Sequence, residues 1–146
     1  MAYFAELDEN NIVLRVVSIN NSDIVDPHTG EEDEILGIAH CKRNWSGKWK
    51  QTSYNDRIRG NYAGVGDSYL EGVATLGVAS TDVFMPPKNH ASWGLSTSVA
   101  RWEAPISKPA LTEEEVAAGK FYIWNEEAYQ ADTNDPKTVG WAITTF

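Results

Sequence analysis

Two apolar runs open the chain. Residues 4–7 and 12–19 are apolar and rich in β-branched side chains. Between them Asp8-Glu9-Asn10-Asn11 suits a tight turn, because Asp and Asn bond back to the local backbone. The pattern predicts a β-hairpin. The second run, Ile-Val-Leu-Arg-Val-Val-Ser-Ile, is nearly continuous in hydrophobicity and reads as a central strand rather than an edge. After a polar loop, a Glu-Glu-Asp-Glu block precedes Ile35, Leu36, Ile38 and Ala39, and Lys42-Arg43 close the segment. Acid first and base last matches the helix dipole, so a helix is predicted over 31–44, with Ile35, Ile38, Ala39 and the stem of Lys42 on one face and Gly47 ending it.

Residues 46–92 hold Gly, Asn, Asp and Ser with scattered rings and no sustained period, which predicts short strands and long loops. Pro86-Pro87 excludes a central ladder strand at that point. Thr112-Glu113-Glu114-Glu115 has the spacing of a capping box and Gly119 follows soon after, so at most two helical turns fit there. Phe121-Tyr122-Ile123-Trp124, a turn at Asn125-Glu126-Glu127-Ala128 and a return through Tyr129 read as a second hairpin. In the last run, residues 138–146, Val139, Trp141 and Ile143 fall on one face at period two, as in a half-buried strand. The fold class expected is mostly β (α+β), an antiparallel sheet or sandwich with one longer helix near 31–44, in one domain spanning 1–146.

Composition supports that class. Six Trp, six Tyr and four Phe suit pleated surfaces, and 146 residues bury roughly two thirds of the unfolded surface. A net charge of −9 repels phosphate backbones and anionic membranes, so neither nucleic acid nor membrane is an expected partner. No stretch approaches the roughly 20 apolar residues of a membrane span, and the first residues lack the pattern of a secretion signal, so synthesis and folding in a cytoplasm are expected. Cys41 is alone and lies in an apolar stretch; a core position is expected.

Catalytic and metal signatures are missing. His28, His40 and His90 lie 12 and 50 residues apart, without ligand spacing. His40 and Cys41 are sequence neighbours on a predicted helix and point different ways, which argues against a thiol nucleophile with its base. Gly60-Asn-Tyr-Ala-Gly64-Val-Gly66 lacks the Gly-Lys-Ser/Thr of a phosphate loop, and glycine turns are the preferred account. Asp23, Asp26, Glu31 and Glu32 are divalent-cation candidates by charge only. No cofactor, metal site or enzymatic activity is expected.

One segment departs from the acidic background. Lys42, Arg43, Lys48, Lys50, Arg57 and Arg59 are half of the 12 basic residues, and Trp45, Trp49, Tyr54 and Tyr62 interleave with them. The preferred account puts the rings in the core with the charges as their solvated flanks. Aromatic and Arg side chains are nevertheless the usual anchors of interfaces, so any protein-contact surface is expected at Trp45, Trp49, Tyr54, Arg57, Arg59 and Tyr62.

The opening Met-Ala-Tyr-Phe-Ala-Glu-Leu-Asp-Glu-Asn-Asn-Ile-Val, Trp49 to Asn55, Ile58-Arg59, Asn61 to Gly66, Phe84-Met85-Pro86-Pro87-Lys88 and Ser92-Trp93 resemble small proteins of marine bacteriophages, particularly those infecting cyanobacteria. Trp102-Glu-Ala-Pro105 and Tyr122 to Glu126 are similar to the end of that family. The likeness runs through most of the chain, departing at Gly66 to Tyr69 and over 70–78. It implies a virion accessory protein: a capsid decoration or knob protein binding the phage major capsid protein or, as the alternative, a tail or fibre module touching host surface glycans. An assembly factor absent from the finished particle is a third reading, and association with further copies of itself stays open. No catalytic residue comes with the resemblance.

Overall fold

The computed structural model describes residues 1–73, 82–96 and 98–146. It is a mixed α+β fold of small antiparallel sheets and a few helices, as the residue pattern predicts. The chain forms two compact units: Met1–Pro87 with Ser96–Arg101, and Lys88–Leu95 with Trp102–Phe146.

The first unit is built on the predicted hairpin. Strands β1 (Ala2–Leu7) and β2 (Val13–Ile19) pair antiparallel, and β3 (Lys48–Thr52) pairs with the other edge of β1, giving the order β2-β1-β3. The Asp8 carboxylate accepts the N–H groups of Asn10 and Ile12 and fixes the turn. The central strand is therefore β1, and β2, expected to be central, lies at an edge. Its hydrophobicity has another cause: Val17 and Ile19 face one core, while Val13 and Val16 face a second core across the sheet. An edge strand covered on both faces carries the same sequence signature as a central one.

Helix α1 (Glu34–Trp45) covers the first face, three residues shorter at its start than predicted because Asp33 caps it by accepting the Ile35 N–H. Its buried stripe is also different. Gly37 and Cys41, one turn apart, face the sheet with Leu36 and Ile38 beside them, and Ile35 is 74% exposed. The reason is steric: the Phe4 ring stands so close to Gly37 that even a Cβ there would lie 2.7 and 2.8 Å from two ring carbons. The bare glycine is what lets the helix settle onto the ring. Cys41 lies in the same core, and burial pushes its thiol up to about 11. After α1, Ser46 and Gly47 take positive φ and turn the chain into β3.

On the opposite face, β4 (Ser68–Leu70) and β5 (Val83–Met85) form a two-stranded ribbon whose Tyr69 and Phe84 pack with Ala5, Leu7, Val13 and Ala63. The second strand ends at Met85, before Pro86-Pro87, as proline requires. Gly60 and Gly66 adopt positive φ, in accord with a turn role. Of the stretch 70–78 that departs from the phage-family pattern, residues 74–78 lie outside the described residues.

The second unit contains a two-residue ladder of β6 (Gly94–Leu95) with β7 (Trp102–Glu103), helix α2 (Glu113–Ala117), β8 (Lys120–Trp124), α3 (Glu126–Ala131) and β9 (Trp141–Thr145). The Thr112–Glu115 capping box is present in both directions. The expected hairpin turn at 125–128 is instead the start of α3: Asn125 accepts the Ala128 N–H, acids occupy the first turn, and β8 pairs with the more distant β9. The terminal strand begins at Trp141, so Val139 lies outside it, and Ile143 is exposed. Trp93, Trp124, Trp141 and Tyr129 form the ring core of this unit, with neighbouring centroids 5.2 to 6.1 Å apart. Gly140 is buried under Trp124, where a Cβ would lie 3.1 Å from one ring carbon and nearer to two others.

Candidate functional site

Strand β3 divides the basic and aromatic segment in two. Trp45 and Trp49 lie at its start and Tyr54, Arg57, Arg59 and Tyr62 beyond its end, roughly 13 Å away for four residues of extended chain. The rings of the two groups also belong to opposite faces of the sheet. Trp49 pairs in register with Glu6 on the face that α1 covers, and Tyr3, which gathers the second group, pairs with Thr52 on the other.

At the start of β3, Trp49 is 2% exposed and belongs to the core under α1, its indole N–H donating to the Ser46 carbonyl. The Trp45 ring packs against it, tilted by 45° with centroids 5.9 Å apart, and is 39% exposed. The Arg15 guanidinium lies 5.7 and 5.6 Å from the two ring centroids, while its Nε donates to Glu6 at 2.6 Å. Arg15 thus serves the packing of this corner, with Trp45 as its outer layer.

Arg59 is likewise an internal residue. Its guanidinium grips Glu34 of α1 with both ends of the fork, Nη1 to Oε1 at 2.8 Å and Nη2 to Oε2 at 3.0 Å. It also donates to the Gln51 carbonyl at 2.9 Å and to the Tyr69 hydroxyl at 3.2 Å. Glu34 accepts the Gln51 N–H as well, and the Tyr69 hydroxyl donates to Asp82. Burial works against the charge on Arg59, but the Glu34 carboxylate outweighs it and raises the pKa. Burial and then the bond to Asp82 push the Tyr69 phenol up to about 12. This network ties α1, β3 and β4 together and engages four of the five N–H groups of Arg59 within the fold.

The remaining residues form an exposed group. The Tyr3 ring meets Tyr54 at 5.9 Å and Tyr62 at 5.7 Å, both edge to face. Tyr54 is 69% exposed and Tyr62 42%, and Arg57 is exposed on the same loop. That loop is held from below. The Ser53 hydroxyl accepts the N–H groups of Arg57 and Ile58, and Asp56 accepts that of Tyr62 at 2.6 Å. Asn61 donates its side-chain amide to the Phe84 and Ala100 carbonyls, and the Thr52 hydroxyl accepts the Ala63 N–H. Asp56 and Arg59 take positive φ, a conformation non-glycine residues adopt only where the surroundings hold it. The tyrosines are therefore presented on a fixed backbone.

Nothing local in the sequence marks Tyr3, which lies some 50 residues from its partners. The available signal is alternation: with Ala2 and Phe4 directed into the core, Tyr3 must face the other way.

Among the described residues no group of three or more His, Cys, Asp or Glu is placed to hold a metal ion, and no helix is long and apolar enough to cross a membrane. Two of the acids named as cation candidates have local tasks: Asp26 accepts the His28 N–H and Glu32 accepts from the Asn21 amide. No family model, curated protein or solved structure matches the chain.

Proposed function

We propose that this is a non-catalytic structural protein of a bacteriophage particle, a decoration or knob protein that binds the major capsid protein from outside through Tyr3, Tyr54, Tyr62 and Arg57. The observation that carries the contact surface is two solvent-facing tyrosine rings, Tyr54 and Tyr62, packed on the half-buried Tyr3 and carried by a loop whose backbone is pinned by Ser53, Asp56 and Asn61. Tyrosine offers a large amphipathic area with little side-chain freedom to lose, and a loop already fixed in the binding shape adds little ordering cost. The location in a virion comes from the resemblance to phage proteins. Many weakly held copies on a repeated lattice gain strength from simultaneous contacts, so a surface of this modest size suffices. The net charge of −9 keeps such a particle dispersed.

The same exposed rings also suit stacking on sugars, which favours the tail or fibre module as the second reading. The test is the copy number in purified particles, with Tyr54→Ala/Tyr62→Ala and Arg57→Ala as variants. Decoration requires a copy number commensurate with the shell and a loss of occupancy of about tenfold or more for the tyrosine pair. A handful of copies per particle replaces decoration with the tail reading, and full occupancy by the folded variants refutes the contact surface.

A further inference from the structure

The second unit carries four buried polar side-chain atoms without a hydrogen bond: Ser92 Oγ, Trp93 Nε1, Trp124 Nε1 and Glu126 Oε2. Buried polar groups normally find partners, because an unpaired one keeps its full desolvation cost. Their parent residues also lie close together. They come from two short segments, Ser92-Trp93 and Trp124 to Glu126, which are joined by the Ser92 N–H donating to Glu126 Oε1 at 2.8 Å and by the Trp93 and Trp124 rings meeting edge to face at 6.1 Å. Trp124 is more than nine-tenths buried. The Ser92 hydroxyl, and less strongly the Trp124 indole, are near enough to the Glu126 carboxyl to hold its pKa below the usual range, although neither completes a hydrogen bond to Oε2.

The donor and acceptor inventory defines what fits between them. Two indole N–H groups only donate, a carboxylate oxygen only accepts, and a hydroxyl does either. An anion would meet the charge of Glu126, and an ammonium would meet two N–H groups with nothing to offer them. A hydroxyl group accepts from an indole and donates to the carboxylate at once. With each of the four atoms almost closed to solvent, the molecule bearing it must be the smallest available. We propose that the second unit holds a resident water molecule among Trp93, Trp124, Glu126 and Ser92, and that this water completes the link between the segment Lys88–Leu95 and Trp124 to Glu126. Three or four hydrogen bonds are typical of such buried waters, which count as part of the structure.

The test is magnetisation transfer from water to the indole N–H protons of the full chain labelled with nitrogen-15. Trp93 and Trp124 should show transfer of the sign given by a water that tumbles with the protein. The indoles of Trp49 and Trp141, which donate to the Ser46 and Ile106 carbonyls, should not. Trp93→Phe, which removes one donor and keeps a ring, should speed solvent exchange of the Trp124 indole proton by about tenfold. Wild-type protein lacking the signal at both indoles overturns the inference, and because that measurement needs no variant, a misfolded Trp93→Phe cannot obscure it. Loss of the signal on adding a monosaccharide, with shifts of both indole resonances, overturns it too and makes the hydroxyl that of a sugar.

Discussion

Replacing Gly37 by alanine sets two effects of known sign against each other. In a helix interior, alanine is favoured over glycine by roughly 1 kcal/mol, since it has less backbone freedom to lose. At this position the new methyl would stand 2.7 and 2.8 Å from Cε1 and Cε2 of Phe4 and nearer still to Cζ. Phe4 is fully buried in the core under α1, so α1 must lift or the ring must leave its rotamer. Overpacking costs typically 1–3 kcal/mol, and contacts this short place Gly37→Ala in the upper part of that range, about 2–3 kcal/mol. Overpacking wins, and Gly37→Ala should lose about 1–2 kcal/mol, a fall in Tm of roughly 2–8 °C for a chain of this size. Phe4→Leu alone should also destabilise, by less than the roughly 3–5 kcal/mol of full truncation. Combined, the two changes should cost less than their sum by about 1 kcal/mol or more, because the shortened side chain vacates the space the methyl needs. Equilibrium urea unfolding of the four proteins, followed by tryptophan fluorescence, measures this cycle. A Gly37→Ala protein as stable as wild type, or more so, means helix propensity alone governs the site and the ring is not seated on Gly37.

Two further outcomes follow from the polar framework. Arg59→Ala should lose about 2–3 kcal/mol, because it strands the half-buried Glu34 carboxylate and removes donors from Gln51 and Tyr69, while Arg57→Ala on the same loop should change stability by no more than about 0.5 kcal/mol. Equal effects in urea unfolding would contradict the internal role of Arg59. Asp132 accepts N–H groups from Asn134, Thr138 and Val139, with that from Asn134 contributing most, and its pKa is lowered from 3.8 to about 2. A depressed carboxyl stabilises above its unfolded pKa and loses that contribution as pH falls through its folded value. Wild-type Tm should therefore drop between pH 4 and 2 more steeply than that of Asp132→Asn, and parallel curves would refute it.

What could be read in the sequence was local. The first hairpin is set by alternating apolar residues around an Asp and Asn turn, and the capping box at Thr112 is contiguous, so both appear where the pattern puts them. The stripe of α1 is not visible in the sequence because a glycine has no hydrophobicity to count, yet Gly37 is where the helix seats on the Phe4 ring. Helix α3 carries its own signal, an Asn cap followed by two glutamates, but residues 125–128 suit a turn equally well. Arg59 and Trp49 were drawn into one surface with Tyr54 and Tyr62 by sequence proximity. The β3 strand separates them, and the carboxylate that claims Arg59 lies 25 residues away. Tyr3 joined the exposed group through strand register, a long-range fact with no local mark.

The order in which the chain visits its two units bears on how it is made. The first unit is not finished at Pro87; it needs Ser96–Arg101, which follow an excursion of eight residues. Until those residues leave the ribosome, the Asn61 amide lacks the Ala100 carbonyl, and the Ala100 methyl is not yet packed beside Gly60. A chain released after residue 87 would keep the Ser53, Asp56 and Phe84 ties of the tyrosine loop, but not the one from Ala100. The loop would thus gain its last tie late in synthesis, and shortening the gene to the first 87 codons would release a sheet whose binding loop lacks it.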